Sequence, residues 1–579
     1  MENSTDNSPE PENPSVGSTI TPSPEKADTS NDTKEMLAEA SKDAPSDSSP
    51  KDTSKANMTM PAPREKKSHM TMWLIVLILV LVAAGAGAWY YLNKKDTSTA
   101  TTTMKKVDVP LLRFGTTEGL TAEFYPGEVT GIGGLEMNNQ VFEGLVGYQD
   151  QKIVPLLATK WSNPNTKTWV FTIKKNVTFH NGTKLTTAIV ADSLKNPSES
   201  VAGQTGFGGI VDTIVATDAD TVTITTKSPD ALLLKRLLPL VIYDTTATTK
   251  NSAENGTGPY TIKPGTTASN DSLDLVAYSS YHGGTPRVAA IHAVNFADND
   301  AMLASVKKGE LDIASDFNGL DASKDFGDQA ANFRIADIDP LAVSVLAPIF
   351  RTGSPVLKKE VRQAIYKAID PAKLVTTAGG GAAVANQLVT QVIPGYDPTI
   401  TRPAVDVTGA KALLTTAGYP NGMTLNITFG PPATADVTEL QKELAVIGVT
   451  LKLNPVKSFP EFQANIKNGT NDFWFGAYSS SLIDLSDVVN TAVLSTGPFG
   501  TYTSVDITRQ LAAANQEFDS AKRLKDLQTI SHQLMDDVIW MPMRTRNIQA
   551  VVRKDLNVTL DVPNGFLGVY DWKVTKTEQ

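Results

Sequence analysis

The side chains best suited to chemistry in this chain do not assemble into a reacting set. Its five histidines, His69, His180, His282, His292 and His532, are scattered, and only His282 and His292 lie near one another. Those two fall on separate predicted elements, without the four-residue helical spacing that presents paired imidazoles to zinc. Cysteine is absent, which excludes thiolate metal sites, disulfides and thiol nucleophiles. The acid pairs Asp218/Asp220 and Glu310/Asp312 could in principle share a proton. They fall at predicted turns and strand edges, where solvated structural roles are expected. There is no GxSxG nucleophile elbow and no GxxxxGK[ST] phosphate loop. The glycine patches at Gly203 to Gly206 and Gly379-Gly380-Gly381 read as loops, because neither joins a strand to a helix. This pattern points to a binder with no cofactor and no metal, not to a catalyst.

The elements that would carry such a binding surface begin at about Pro110. Leu111 to Thr116 alternates as a first strand, as do Trp169 to Ile173 and Thr221 to Thr225. Asn181-Gly182 marks a tight turn after Val177-Thr178-Phe179. Apolar residues three and four apart predict helices at Asp300–Lys308, Glu360–Lys367, Gly409–Ala417, Thr438–Val446, Pro460–Lys467 and Ala521–Asp536. Gly418 and Gly448 follow two of them, where a left-handed cap is wanted. Strands mixed with helices over this length imply an α/β protein of two or more lobes. No internal repeat is evident.

Ahead of this part lies an apolar run from Met72 to Leu92, uncharged between His69 and Lys94, with Trp73, Trp89, Tyr90 and Tyr91 at its ends. As a helix rising about 1.5 Å per residue it would extend about 31 Å, which matches a bilayer's hydrocarbon core. Aromatic rings at both ends suit the membrane interfaces. Some seventy residues precede it, so an uncleaved anchor is expected and not a cleaved signal peptide. Residues 1–70 are polar and poor in aliphatic and aromatic side chains, a composition that predicts disorder. The span is placed at 71–93 and a flexible stalk at 94–107. The lysines and Arg64 flanking the run favour a cytoplasmic tail only weakly. The net charge of −10, without a basic stripe, argues against nucleic acid as a partner.

Several blocks resemble a known family. Val141-Phe142-Glu143-Gly144-Leu145-Val146, then Ile153 to Trp161, then Trp169 to Thr183 with Phe179-His180-Asn181-Gly182, is similar to the extracytoplasmic solute-binding proteins of peptide-type ABC transporters, family 5. Gly256-Thr257-Gly258-Pro259-Tyr260, Tyr281 to Pro286, Lys308 to Ala314, Val361 to Asp370 and Ala410 to Pro420 resemble later blocks of that family in the same order. Within these matches, Trp161 and Phe179 are expected in the core. His180 and Asn181 are expected to fix the hairpin, and Arg362 to hold its helix by a charge pair.

The resemblance implies a type II, peptide-class periplasmic-binding-protein fold with an extra subdomain. Lobe I would comprise 108–340, including the subdomain at 151–250, and lobe II 341–540; the chain would return to lobe I over 541–579. It implies capture of a peptide or other small solute between the lobes, by a monomeric receptor, for delivery to ABC permease subunits in the membrane. A sensing domain, or an adhesin or scaffold on the same fold, is the alternative. Without a cysteine to carry lipid, the Met72–Leu92 helix would be the tether, with the lobes outside the cell.

Peptide-binding members carry a WxxDYxDP stretch whose first aspartate holds the peptide's amino terminus. The corresponding run here is Tyr478-Ser479-Ser480-Ser481-Leu482-Ile483-Asp484-Leu485, so Ser481 stands for the first acid and Asp484 for the second. Leaving a buried ammonium without its charge partner would cost about 3 kcal/mol, which keeps sugars, opines and blocked peptides open. Trp474, Tyr478, Phe499 and Tyr502 are the expected cleft aromatics, with Tyr125, Phe350 and Arg351 approaching from the lobe edges.

Overall fold

Two long strands run antiparallel through the centre of the molecule, Phe333–Pro348 and Met541–Arg553. In this computed structural model the described residues are 105–117, 119–120, 132–149, 151–197, 205–247, 255–266, 269, 271–317, 319–379, 381–430, 433–557 and 575–578. The Met72–Leu92 run, the N-terminal tail, most of the stalk and Tyr125 lie outside them. Among the described residues no helix is long and apolar enough to cross a membrane.

The two central strands join the halves of a ten-stranded sheet. One half contains Leu112–Thr116, Tyr260–Ile262, Ser272–Ala277, Ala290–Asn295 and Ile313–Phe317; the other contains Met423–Phe429, Val449–Pro455 and Phe473–Ser479. The last three are mutually parallel, and each is preceded by a helix or followed by one, as parallel strands require. The pairing of the central strands breaks in the middle. Ile338 faces Ile548 and Ala342 faces Arg546, so four steps on one strand meet two on the other. Such bulges bend a strand and increase its local twist.

A separate four-stranded sheet is formed by Ala158–Asn165, Thr168–Ile173, Thr221–Thr226 and Val211–Ala216. Its alternation is the one read from sequence. Trp169 faces Ile224 and Phe171 faces Val222, and all four are buried on one side. Phe179, Leu194 and Phe207 complete that core. Trp161 is only half-buried at its edge.

The six helices expected from periodicity are present at Asn299–Lys307, Lys359–Ala368, Val407–Thr416, Thr434–Ala445, Phe459–Lys467 and Ser520–Asp536. Gly418 and Gly448 have φ of +90° and +84°, the left-handed geometry that ends a helix without a Cβ clash. Gly182 at the predicted tight turn has φ +87°.

Three local readings are revised. Arg362 is buried and makes no charge pair among the described residues; its guanidinium donates to the carbonyls of Val356, Leu357, Asp537 and Val538. Asp312 is not a solvated edge acid. It is buried between Arg113 and Arg553, and ties the strand Leu112–Thr116 to the returning central strand. His180 and Asn181 do more than shape their hairpin: the His180 ring bonds the Gly258 carbonyl at 2.9 Å, and Asn181 bonds Asp244 and Asn255, so the turn is fastened to the Gly256–Tyr260 loop.

Candidate functional site

In the second half of the sheet the strands Met423–Phe429, Val449–Pro455 and Phe473–Ser479 lie parallel, so their carboxyl ends open on the same side. Open α/β sheets form their binding crevices at such ends. Here they border a cavity of about 560 Å³. Gly430 follows the first strand, Val456, Lys457 and Ser458 follow the second, and Phe475, Gly476 and Ala477 belong to the third. Ser344, Arg544 and Arg546 from the central strands form another wall. Gly319, just past the strand Ile313–Phe317, brings the other half of the sheet to the rim.

That rim is tight. Gly379 follows the helix Pro371–Ala378 with φ +75° and ψ −163°, a conformation open almost only to glycine. A β-carbon there would lie 3.2 Å from the Gly319 Cα. The absence of side chains at both positions lets the two halves meet.

The wall is aromatic on one side and cationic on another. Phe459, Phe462 and Phe475 supply rings. Phe475 is buried, whereas Phe459 is 62% exposed, a large apolar group held in solvent at the cavity mouth. The charged lining residues are Lys457, Arg544, Arg546 and Asp436. Arg544 donates to both Asp436 oxygens, at 2.7 and 3.3 Å, so the single acid is already committed. Among the described residues the Lys457 ammonium has no carboxylate partner, its backbone N–H alone bonding Glu461 at 2.8 Å. Two helices start at the cavity. Phe459–Lys467 is capped by Ser458, while Thr434–Ala445 follows Ala433, which offers no side-chain cap.

None of the eight described residues among the nine selected from sequence lines this cavity. Trp474, Tyr478 and Phe499 form one aromatic cluster behind it. Trp474 is buried, edge-on to Phe462 at 5.9 Å and to Trp540 at 5.3 Å. Phe499 meets both Tyr478, at 6.2 Å, and the rim residue Phe459, at 5.7 Å. The chosen aromatics thus back the rings that face the void. Burial pushes the Tyr478 hydroxyl pKa well up, and the nearby Asp487 charge adds to it. The Phe350 and Tyr502 rings meet at 5.0 Å, tilted by 53°, with the Arg362 guanidinium 5.2 Å from the Phe350 ring. Arg351 pairs with buried Asp472 at 2.7 Å and donates to the Asn471 carbonyl. Tyr125 lies outside the described residues.

Ser481 is half-buried, and its backbone N–H donates to Asp487 at 2.7 Å. Asp484 has no exposed surface. Its oxygens accept from Arg523 at 2.8 Å twice, from Lys235 at 2.9 Å and from the Ser486 hydroxyl at 2.6 Å. Burial alone would raise this carboxyl, but the charges of Lys235 and Arg523 overcome it and hold the pKa far below the usual range. Lys235 comes from the region of the four-stranded sheet, so this cluster ties that region to the second half of the main sheet. The Trp169–Phe518 contact at 6.2 Å and the hydrogen bond from Ala231 to the Asn515 carbonyl lie along the same seam.

The cavity residues left no motif in the sequence. Two signals were available: the strand-to-helix junctions around Gly430 and Ser458, and the alternation of Arg544 and Arg546 on one strand. Both acquire meaning only once the strands are known to be parallel neighbours. Nothing in the lining resembles a nucleophile with its base, and among the described residues no three metal-ligating side chains gather.

Comparison with known proteins agrees with this geometry. A family model described as bacterial extracellular solute-binding proteins, family 5 Middle, matches residues 152–500. A putative ABC transporter peptide-binding protein of Brucella ovis is 28% identical over 365 residues, 58% of this chain and 66% of that protein, so the chain spans just under two thirds of its length. A glutathione-binding protein of Pectobacterium atrosepticum is 24% identical over 460 residues, covering 75% of this chain and 88% of that one. Among solved structures, HbpA2 from Haemophilus parasuis superposes with a TM-score of 0.71 at 20% identity, over 81% of this chain and all of that one. A periplasmic binding protein from Helicobacter pylori, in complex with a peptide, gives 0.69 at 19% identity, over 82% and 99%. The fold is therefore the two-lobed periplasmic-binding-protein fold. Proteins of the matched family bind solutes for transport and are not enzymes. With its model aligned over more than half of the sequence, this chain belongs to the bacterial extracellular solute-binding proteins of family 5.

Proposed function

We propose that the chain is the membrane-anchored receptor of an ABC importer, capturing a peptide or similar small solute between its lobes and delivering it to permease subunits. The observation that carries this reading is the cavity of about 560 Å³ at the strand ends, walled by both halves of the sheet and by the two central strands. Its size suits a small solute, for pockets of this kind run from about 300 to 1,000 Å³. The break in strand pairing between Ile338 and Ala342 supplies the hinge. A solute that touches both lobes favours the closed arrangement by its differential affinity, and the permease then reads that arrangement.

The Met72–Leu92 run serves as the tether, with residues 1–70 in the cytoplasm and the lobes outside, and the receptor acts as a monomer. The family resemblance and the length of the apolar run support this. Lobe I is assigned to 108–340 with its subdomain at 151–250, lobe II to 341–540, and 541–579 returns to lobe I. Ligand contacts by Tyr125, Phe350, Arg351, Trp474, Tyr478, Ser481, Asp484, Phe499 and Tyr502 would require an arrangement in which those side chains reach the solute. The cavity wall is the better-supported location.

Two experiments test this reading. Purified full-length chain is screened by thermal melting against peptides, amino acids, sugars and metal complexes, since a ligand at a hundred times its Kd stabilises by about 2.7 kcal/mol. A rise with one class is expected, and none with any class sinks it. Crosslinking in intact cells, with protease added outside, is expected to capture permease subunits and to degrade the lobes. Capture of a kinase in their place favours a sensor.

A further inference from the structure

We propose that His282 is a proton-operated clasp between the four-stranded sheet and the main sheet: uncharged, its ring joins Lys174 to Glu143; protonated, it lets Lys174 go. None of these three residues lines the cavity at the strand ends, so the clasp stands apart from the solute reading.

Glu143 is the fixed point of this seam. It follows the helix Ile132–Val141, in the two-residue strand Glu143–Gly144. Its side chain is 7% exposed. It accepts from the Thr257 hydroxyl at 2.9 Å and the Tyr281 hydroxyl at 3.1 Å, and bonds the His282 Nε2 at 2.7 Å. Thr257 belongs to the Gly256–Tyr260 loop, and Tyr281 and His282 to the turn after the strand Ser272–Ala277. Burial, and then the Glu143 charge, push the Tyr281 hydroxyl pKa up, so it stays a donor. The His282 side chain is 8% exposed, and its ring lies 4.6 Å from that of Tyr281. Its second nitrogen, Nδ1, is 3.3 Å from the Lys174 Nζ. Lys174 sits just past the strand Thr168–Ile173 of the four-stranded sheet.

An ammonium carries donors and no lone pair, so the His282 Nδ1 accepts from Lys174. The ring is then uncharged, with its one proton on Nε2 and aimed at Glu143. Imidazole is the side chain that ordinarily changes charge between about pH 5 and 8. A second proton goes to Nδ1, which faces Lys174. The bond to Glu143 survives as a charge-assisted pair, whereas two cations are left 3.3 Å apart. Lys174 yields, because it is half-buried and, among the described residues, no carboxylate holds it. The other charged and titratable groups along the seam have bonds of their own. Lys175 pairs with Asp220 at 2.6 Å, the His180 ring bonds the Gly258 carbonyl at 2.9 Å, and Asp244 accepts from Asn181 at 3.0 Å and Asn255 at 3.1 Å. The Tyr278 hydroxyl lies 3.1 Å from both the Thr178 hydroxyl and the Phe179 carbonyl. Those bonds persist, so acid loosens one end of the seam and does not detach the sheet.

The test is hydrogen exchange by mass spectrometry on the full-length chain at about pH 5.5 and about pH 8, with the intrinsic pH dependence divided out. In wild type, segments 168–176 and 278–285 are expected to exchange about threefold faster at the lower pH. His282→Gln is expected to remove that difference, because an amide accepts from Lys174 and donates to Glu143 but takes no proton in this range. His180 is unchanged in that variant, so its own titration cannot produce the effect. Lys174→Met leaves the donors to Glu143 in place and is expected to exchange fast at both pH values. Equal exchange at the two pH values in wild type, or a wild-type response retained in His282→Gln, overturns the proposal. If His282→Gln fails to fold, Lys174→Met decides alone: a retained pH response overturns the clasp, and its loss supports it.

Discussion

Asp484 and Asp436 occupy the same half of the sheet, and each is a buried acid held by an arginine, but their surroundings differ. Asp484 accepts from Arg523, Lys235 and Ser486 and has no exposed surface. Asp436 accepts from Arg544 at the wall of a cavity, with Lys457 and Arg546 on the same lining. In the first cluster the acid spends its accepting capacity inside the protein, although the Arg523 Nε has no hydrogen-bond partner among the described residues. In the second, the Arg544–Asp436 pair borders open space, with the exposed Lys457 on the same lining. An acid–cation group therefore reports on function only when its charge balance and its access to solvent are read together.

The comparison is broken most directly at Asp484. Asp484→Asn leaves Arg523 and Lys235 buried without their anion, and the expected loss is about 3–5 kcal/mol in urea unfolding at pH 7. A loss below about 1 kcal/mol would show the cluster to be replaceable by neutral hydrogen bonds. The pH dependence follows from the same group. Its folded pKa is lowered, so its contribution is complete above the unfolded value of about 3.9 and disappears as pH falls from there toward the folded value. Wild type should lose stability across that acid range, and Asp484→Asn should lose less. Asp487 runs the other way: burial raises its carboxyl, so its contribution is greatest at low pH and declines as pH rises through the folded value. The wild-type-minus-variant difference isolates Asp484.

A smaller effect is expected where the two halves meet. Gly379→Ala places a β-carbon 3.2 Å from the Gly319 Cα in a backbone conformation nearly restricted to glycine. The strain is about 1–3 kcal/mol. Because the contact spans both sides of the cavity, solute affinity should fall along with the melting temperature, whereas Asp484→Asn should affect mainly stability. If Gly379→Ala melts lower but binds as tightly as wild type, the Gly319–Gly379 approach is structural only.

The same contrast explains what could be read from sequence. Periodicity located the helices to within a few residues, and alternation located the strands Trp169–Ile173 and Thr221–Thr225, because those signals are local; that the two strands pair is seen only in the structure. Arg362 and Asp312 were read less well. A sequence gives a charge but not its partner, and the Asp537 carbonyl on Arg362 and the second arginine on Asp312 arrive from 175 and 241 residues away. The cavity was the least legible feature. Its walls come from segments between Gly319 and Arg546, brought together by strand order. The family pattern drew the choice toward Trp474, Tyr478 and Asp484, which lie behind the wall or inside a closed ion cluster.

Asp436→Asn sharpens the comparison from the other side and should be the mildest of these changes in stability. Arg544 is left without its anion, but at 14% exposure beside a cavity it can recover solvent, and an amide can still accept one of its hydrogen bonds. The expected cost is about 1–2 kcal/mol, well below that of Asp484→Asn. Removing the only acid in the described lining also frees a guanidinium toward the void, so affinity for a carboxylate solute should rise while stability falls. Opposite signs in the two measurements are hard to obtain from a purely structural pair. If affinity and stability fall together, Arg544 needs Asp436 to hold its position.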